Sequence, residues 1–214
     1  YPLYIKPDNK ISVKDAVSLM RDHFNGTEFD LTKGLAAGPF GCPVRWKPLG
    51  FKIEGDTVNS YGFERPISTQ QTAFAFVSQS RNFLPDEIGG VFWYGVDDNY
   101  TTVYIPLYCS LLEAPPSFTG YSISEFSMNS GFWVFNLVAN LAYTKYSYMI
   151  KDIQQVQSEL EEKFYAFQPA IEAGAKAMYE KDKSAVAKYL TEYSVNQAEI
   201  SVERWRKLWE YLVM

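Results

Sequence analysis

From Ser130 to Met214 the apolar residues of this chain recur every three or four positions, and no other feature limits the fold as much. Phe132, Phe135, Val138, Leu141 and Ala142 form one stripe, and Ile150, Ile153, Val156, Leu160, Phe164 and Phe167 form a second. Such spacing puts side chains on one face of an α-helix. Pro169, which has no N–H to donate, predicts a kink or a division of the second stripe. Two further helices are expected after it, one carrying Ala185, Val186, Tyr189 and Leu190, the other Val202, Trp205, Leu208, Trp209 and Leu212. The most apolar stretch, Gly131 to Tyr143, holds Asn136 and Asn140 and is about thirteen residues long, whereas a membrane span needs roughly twenty. It reads as a buried helix, and no membrane is expected as a partner.

Upstream the period changes to two. Strands are expected over Thr69 to Ser80, Gly90 to Val96 and Thr101 to Tyr108, with turns at Leu84-Pro85-Asp86 and Asp97-Asp98-Asn99. The last two strands read as a hairpin. In the first, Thr72, Phe74, Phe76 and Ser78 share one face and Ala73, Ala75, Val77 and Gln79 the other, a pattern that suits a strand covered on both sides. A helix is expected from Ser12 to Asn25, with Ser12 as N-cap, Asp15 at the positive helix end and Gly26 as the stop; Val13, Ala16, Val17, Met20 and Phe24 make its apolar face. Residues 34 to 66 are rich in Gly and Pro and read as loop, and a long ordered loop tends to be functional. The class is α+β, with residues 1–125 as the sheet-containing part and 126–214 as a helical region packed on it.

The chain has 214 residues, 47% of them hydrophobic and 17% aromatic, which is enough for a large core. The net charge of −5 and the lack of any basic run exclude nucleic acid as an expected partner. Two cysteines and one histidine are too few for a Cys/His zinc site and do not form a disulfide framework. Cys42 and Cys109 are therefore expected to be buried free thiols; no metal or cofactor is expected, although a carboxylate-rich metal site remains open. His23, near the end of the first helix, would have its charged form favoured there by the helix dipole. No Gly-x-Ser-x-Gly, Walker A or Gly-x-Gly-x-x-Gly sequence occurs. A hydrolase built this way needs a base other than histidine, and the free amine of an N-terminal Cys, Ser or Thr is one solution. Tyr1 cannot serve, and neither cysteine has a base beside it in sequence. The chain is expected to hold no complete catalytic apparatus. It has no initiator Met and no signal-peptide pattern, which reads as a processed or excised chain.

The blocks Arg65-Pro66-Ile67-Ser68-Thr69-Gln70-Gln71-Thr72, Ser78-Gln79-Ser80-Arg81, Leu84-Pro85, Ile88-Gly89-Gly90-Val91-Phe92-Trp93 and Thr102-Val103-Tyr104-Ile105-Pro106-Leu107-Tyr108 follow one another over about 45 residues. In order and spacing this stretch resembles the central block of bacterial cysteine dipeptidases of the dipeptidase A type, distant relatives of the secernins. The resemblance implies the C-terminal part of an N-terminal-nucleophile (Ntn) hydrolase, an αββα sandwich in which an N-terminal cysteine attacks a dipeptide and its own amine acts as base, without a metal. No cysteine here matches that nucleophile, so it is expected upstream of Tyr1, in an N-terminal remainder that would be this chain's partner. Arg65 is the candidate for holding a substrate carboxylate or an oxyanion in its planar fork; the alternative is a structural pair with Glu64 or Asp56. Thr72 is a candidate hydrogen-bond donor, or a satisfied buried threonine. Arg81 is a candidate substrate contact, or a brace holding its turn to Asp86. Trp93 is a candidate substrate platform, or core. A non-catalytic ligand- or partner-binding domain is the rival reading.

Overall fold

A computed structural model describes residues 2–45, 52–56 and 64–214. The first helix, α1 (Val13–Met20), begins as expected: the Ser12 hydroxyl accepts from the Asp15 N–H, and the Asp15 carboxylate accepts from the Ser12 N–H at 2.8 Å. It ends five residues before Asn25. The Arg21 N–H turns to Ser18 O, and the Arg21 guanidinium leaves the helix axis to pair with Glu161. His23 thus lies beyond the helix, buried and with its ring centroid 4.4 Å from that of Tyr100. Burial pushes its pKa down to about 4, so the residue is neutral rather than a charged helix end.

Three antiparallel strands follow in the order β1 (Phe74–Ser80), β2 (Gly90–Val96) and β3 (Ile105–Tyr108), with a short helix α2 (Asp86–Gly89) between the first two. The β2–β3 hairpin is as expected. Strands β1 and β3 are shorter than their sequence pattern. Before β1 the chain turns, with the Thr72 N–H donating to Thr69 O. Before β3, residues 101–104 are held by side chains instead of a ladder: the Glu161 carboxylate accepts from the Tyr104 N–H, and Thr102 O accepts from both Arg21 and Gln157.

One face of the sheet, with Ala75 and Val77 on β1 and Val91 and Trp93 on β2, is turned to the helices, and Trp93 is wholly buried with its ring against Tyr165. The other face carries Phe74 and Phe76 beside Val96, Tyr94 and Phe92. There Phe74 is 55% exposed and Phe76 46%, and Phe76 stacks on Phe92 at 4.7 Å between centroids. Strand β1 is therefore closed over on its small-residue face only; on the other face Phe118 and Phe132 reach no further than a cleft that Phe74 lines.

The remainder is helical: α3 (Gly131–Ala142), α4 (Tyr146–Tyr179) and α5 (Lys183–Val213). Pro169 neither ends nor divides α4, which runs through it for 34 residues. Burial of Leu160 and Phe164 on one side and Ala175 on the other outweighs the roughly 3 kcal/mol cost of an interior proline. Likewise one helix, α5, replaces the expected two. Its stripe is continuous because Thr191, Ser194, Ala198 and Ser201 fill the middle of the buried face. One cluster of buried apolar residues extends from Val17 through the sheet to Leu212, with Phe135 stacked on Trp205 at 4.9 Å. Fully burying side chains of this size stabilises by about 1.5–3 kcal/mol each. Both cysteines are free, but neither is buried: Cys42 is half-buried and Cys109 exposed at the end of β3. Among the described residues no helix is long and apolar enough to cross a membrane.

Candidate functional site

Strand β1 separates the sequence-selected residues into two groups. Arg81 follows its C-terminal end, and Arg65 and Thr72 precede its N-terminal end. Seven residues of strand hold those ends about 20 Å apart, whereas a dipeptide spans about 7 Å.

At the Arg81 end each guanidinium nitrogen is engaged. Nη1 donates to Glu172 Oε1 at 2.6 Å, Nη2 to Ile88 O at 3.1 Å and Nε to Gly89 O at 3.3 Å. The same Glu172 oxygen accepts from the Tyr108 hydroxyl and from Gln168 Nε2. Arg81 thus braces its turn as one sequence reading had it, but to Glu172 on α4 in place of Asp86. Trp93 offers a ligand no surface, being wholly buried with its indole N–H donating to Gln79 Oε1 at 3.3 Å. The exposed Cys109 belongs to this end too, where its N–H donates to Gly90 O.

The other end has more freedom. Arg65 is exposed and makes no hydrogen bond or ion pair among the described residues, while its neighbour Glu64 pairs with Arg45 Nε at 2.5 Å. Arg45, which the sequence reading passed over, ties the loop together: its guanidinium also donates to Leu31 O and Cys42 O, and its carbonyl accepts from Gln70. A cleft of about 420 Å³ opens between Glu64, Arg45 and the Phe24–Ala36 loop. Thr72 is half-buried at the start of β1. The next residue, Ala73, lines a second cleft of about 300 Å³, walled by Phe74, Tyr94 and Val96 of the sheet and by Phe118 and Phe132.

Two buried carboxylates adjoin this end. The Asp97 N–H donates to Ala73 O at 2.9 Å, and Asn136 Nδ2 donates to the Asp97 carboxylate at 3.1 Å. Burial pushes the Asp97 pKa up to about 6, and its backbone is left-handed, at φ 65°. Asp98 accepts from the Tyr143 hydroxyl at 2.8 Å and from the Tyr100 N–H, and burial raises its pKa as well. In sequence these residues form an ordinary turn signal, Asp97-Asp98-Asn99. Nothing in that triplet announces that α3 and Tyr143 will enclose it.

On this side of β1 stand two separate features: the exposed guanidinium of Arg65, with no partner among the described residues, and the Asp97 carboxyl, which burial brings to exchange its proton close to neutral pH. Burial raises the pKa of the Cys42 thiol, the opposite of what an attacking thiolate needs. Among the described residues no group of His, Cys, Asp and Glu is arranged to hold a metal ion.

Comparison with known proteins gives one family match and a set of consistent relatives. Residues 1–159 match the sequence model of Peptidase family C69. Dipeptidase A of Lactobacillus helveticus is 26% identical over 182 residues, which cover 85% of this chain and 32% of that protein. A probable dipeptidase A of Streptococcus pyogenes is 24% identical, with 78% of this chain and 32% of that protein covered. A probable dipeptidase B of Lactococcus lactis subsp. lactis is 22% identical, with 70% and 27% covered. The chain spans about a third of the length of the curated relatives it matches.

Proposed function

Because the chain belongs to peptidase family C69, whose matching relatives are named dipeptidases of the A and B types, we propose that it is the C-terminal portion of a cysteine dipeptidase. The observation that carries this reading is the family match, which includes the whole block from Arg65 to Tyr108. In this reading the attacking thiolate and its amine base come from outside these 214 residues, which agrees with a Cys42 thiol whose pKa burial raises. The three-stranded sheet is one layer of an Ntn αββα sandwich. Its aromatic face, half-exposed at Phe74 and Phe76, is suited to receive a second sheet.

Within the site, Arg65 binds the substrate carboxylate or the developing oxyanion, and Thr72 donates a hydrogen bond beside it. The fork of Arg65 supports the first role: among the described residues it has no competing carboxylate to displace. Arg81 and Trp93 serve the scaffold, since their polar groups are already engaged.

The test uses the full-length gene product. Arg65→Lys keeps the charge and loses the planar fork, so kcat/KM on a dipeptide should fall by about 10²-fold while the melting temperature holds. Wild-type activity in the variant removes Arg65 from the site. If the unaltered protein binds dipeptides without cleaving them, the enzyme reading gives way to a binding domain.

A further inference from the structure

The two edges of the sheet are treated in opposite ways. Along β3 the outward positions are Tyr104, Pro106 and Tyr108, because Cys109 bonds inward to Gly90 O and the pattern alternates. Each is closed off. The Tyr104 N–H goes to the Glu161 carboxylate at 2.9 Å, Pro106 has no N–H, and the Tyr108 N–H goes to Ser194 Oγ on α5 at 3.1 Å. These are the devices by which proteins keep a strand from recruiting another.

Along β1 no side-chain cap and no proline is present among the described residues, and α1, the nearest helix, stands off from Ser78 and Ser80 across a cleft. The Asp97 N–H bonds to Ala73 O, and the Arg81 N–H to Gly89 O. Between these two anchors Ala75, Val77 and Gln79 face β2, and Phe74, Phe76, Ser78 and Ser80 turn their N–H and C=O groups outward. Those four residues have no backbone or side-chain hydrogen-bond partner at these groups among the described residues. The strand, Phe-Ala-Phe-Val-Ser-Gln-Ser, contains no charge and no proline, and its register with β2 runs without a bulge from Phe74↔Val96 to Ser80↔Gly90. Two of its outward-bonding residues are also the exposed phenylalanines.

We propose that the outer edge of β1 pairs with a further strand supplied by the part of the full-length protein that lies outside these 214 residues. The length of the edge selects this occupant: seven residues extend for about 20 Å, three times the reach of a dipeptide. The family relatives, about three times as long as the span matched here, contain ample chain to provide it. A strand in that position satisfies the four outward N–H groups, and its own alternate side chains extend the aromatic face of Phe74 and Phe76. The inference concerns assembly of the sheet and does not depend on the dipeptidase reading.

Amide hydrogen exchange on the full-length gene product, without substrate, tests it. The amides of Phe74, Phe76, Ser78 and Ser80 should exchange as slowly as those of Ala75, Val77 and Gln79, at least about 10²-fold slower than exposed loop amides. Free exchange at those four positions overturns the proposal. So does protection that appears only when a dipeptide is added, which would make the edge a substrate site, or protection that grows with protein concentration, which would assign it to a second copy.

Discussion

Arg81 and Arg65 flank the same strand and have opposite circumstances. Arg81 is enclosed, with its donors divided among one carboxylate and two carbonyls. Arg65 is exposed and makes no bond among the described residues. The contrast teaches that residue type and proximity to a strand do not identify a binding arginine; what matters is whether the fold has already claimed its fork. The largest effect should therefore come from Arg81→Ala. Removing it leaves the Glu172 carboxylate largely buried beside Tyr108 and Gln168 without a countercharge, a loss of about 3 kcal/mol that denaturant unfolding would read. A loss below 1 kcal/mol would mean that the enclosed end is no more structural than the open one.

The next effect is expected at the open end and has the other sign. Asp97 is buried and prefers its protonated form, so its ionisation on going from about pH 4 to pH 6 subtracts stability from the folded state, and the penalty persists at higher pH. Asp97→Asn removes the charge, can retain the bond from Asn136 and suits the left-handed backbone. The variant should gain about 2 kcal/mol above pH 7, and the gain should fade below pH 5. Melting curves at both values check it; a gain independent of pH would rule out ionisation as the cause. The smallest effect is reserved for Arg65→Ala, which should change folding stability by less than about 0.5 kcal/mol. A larger loss would show that Arg65 is braced as Arg81 is.

Much of the fold was legible. Ser12 and Asp15 formed the expected capping box, β2 fell on its expected residues, and the whole stretch after Ser130 is helical apart from its connections. The misreadings share a physical cause, which is that the deciding partner is remote in sequence. Val103 and Tyr104 look like strand, but the Tyr104 N–H is claimed by Glu161, 57 positions away. Helix α5 looked interrupted because small polar residues stand in its stripe, and Ser194 is there to accept the Tyr108 N–H. The site was legible only in part. Arg65 and Thr72 could be selected by resemblance, whereas Arg45 and Asp97 owe their interest to burial and to contacts with loops and helices distant in the chain.

Pro106 and Ser194 have one more consequence. Edge-to-edge addition into a filament requires each sheet to be receptive on two sides, so that every unit added leaves a fresh end for the next. Here α5 and the proline cap one side, so two such sheets meeting along β1 would consume both of their reactive ends at once. The arithmetic of growth stops at two, and a chain with an unprotected strand is thereby kept from seeding fibres by that route.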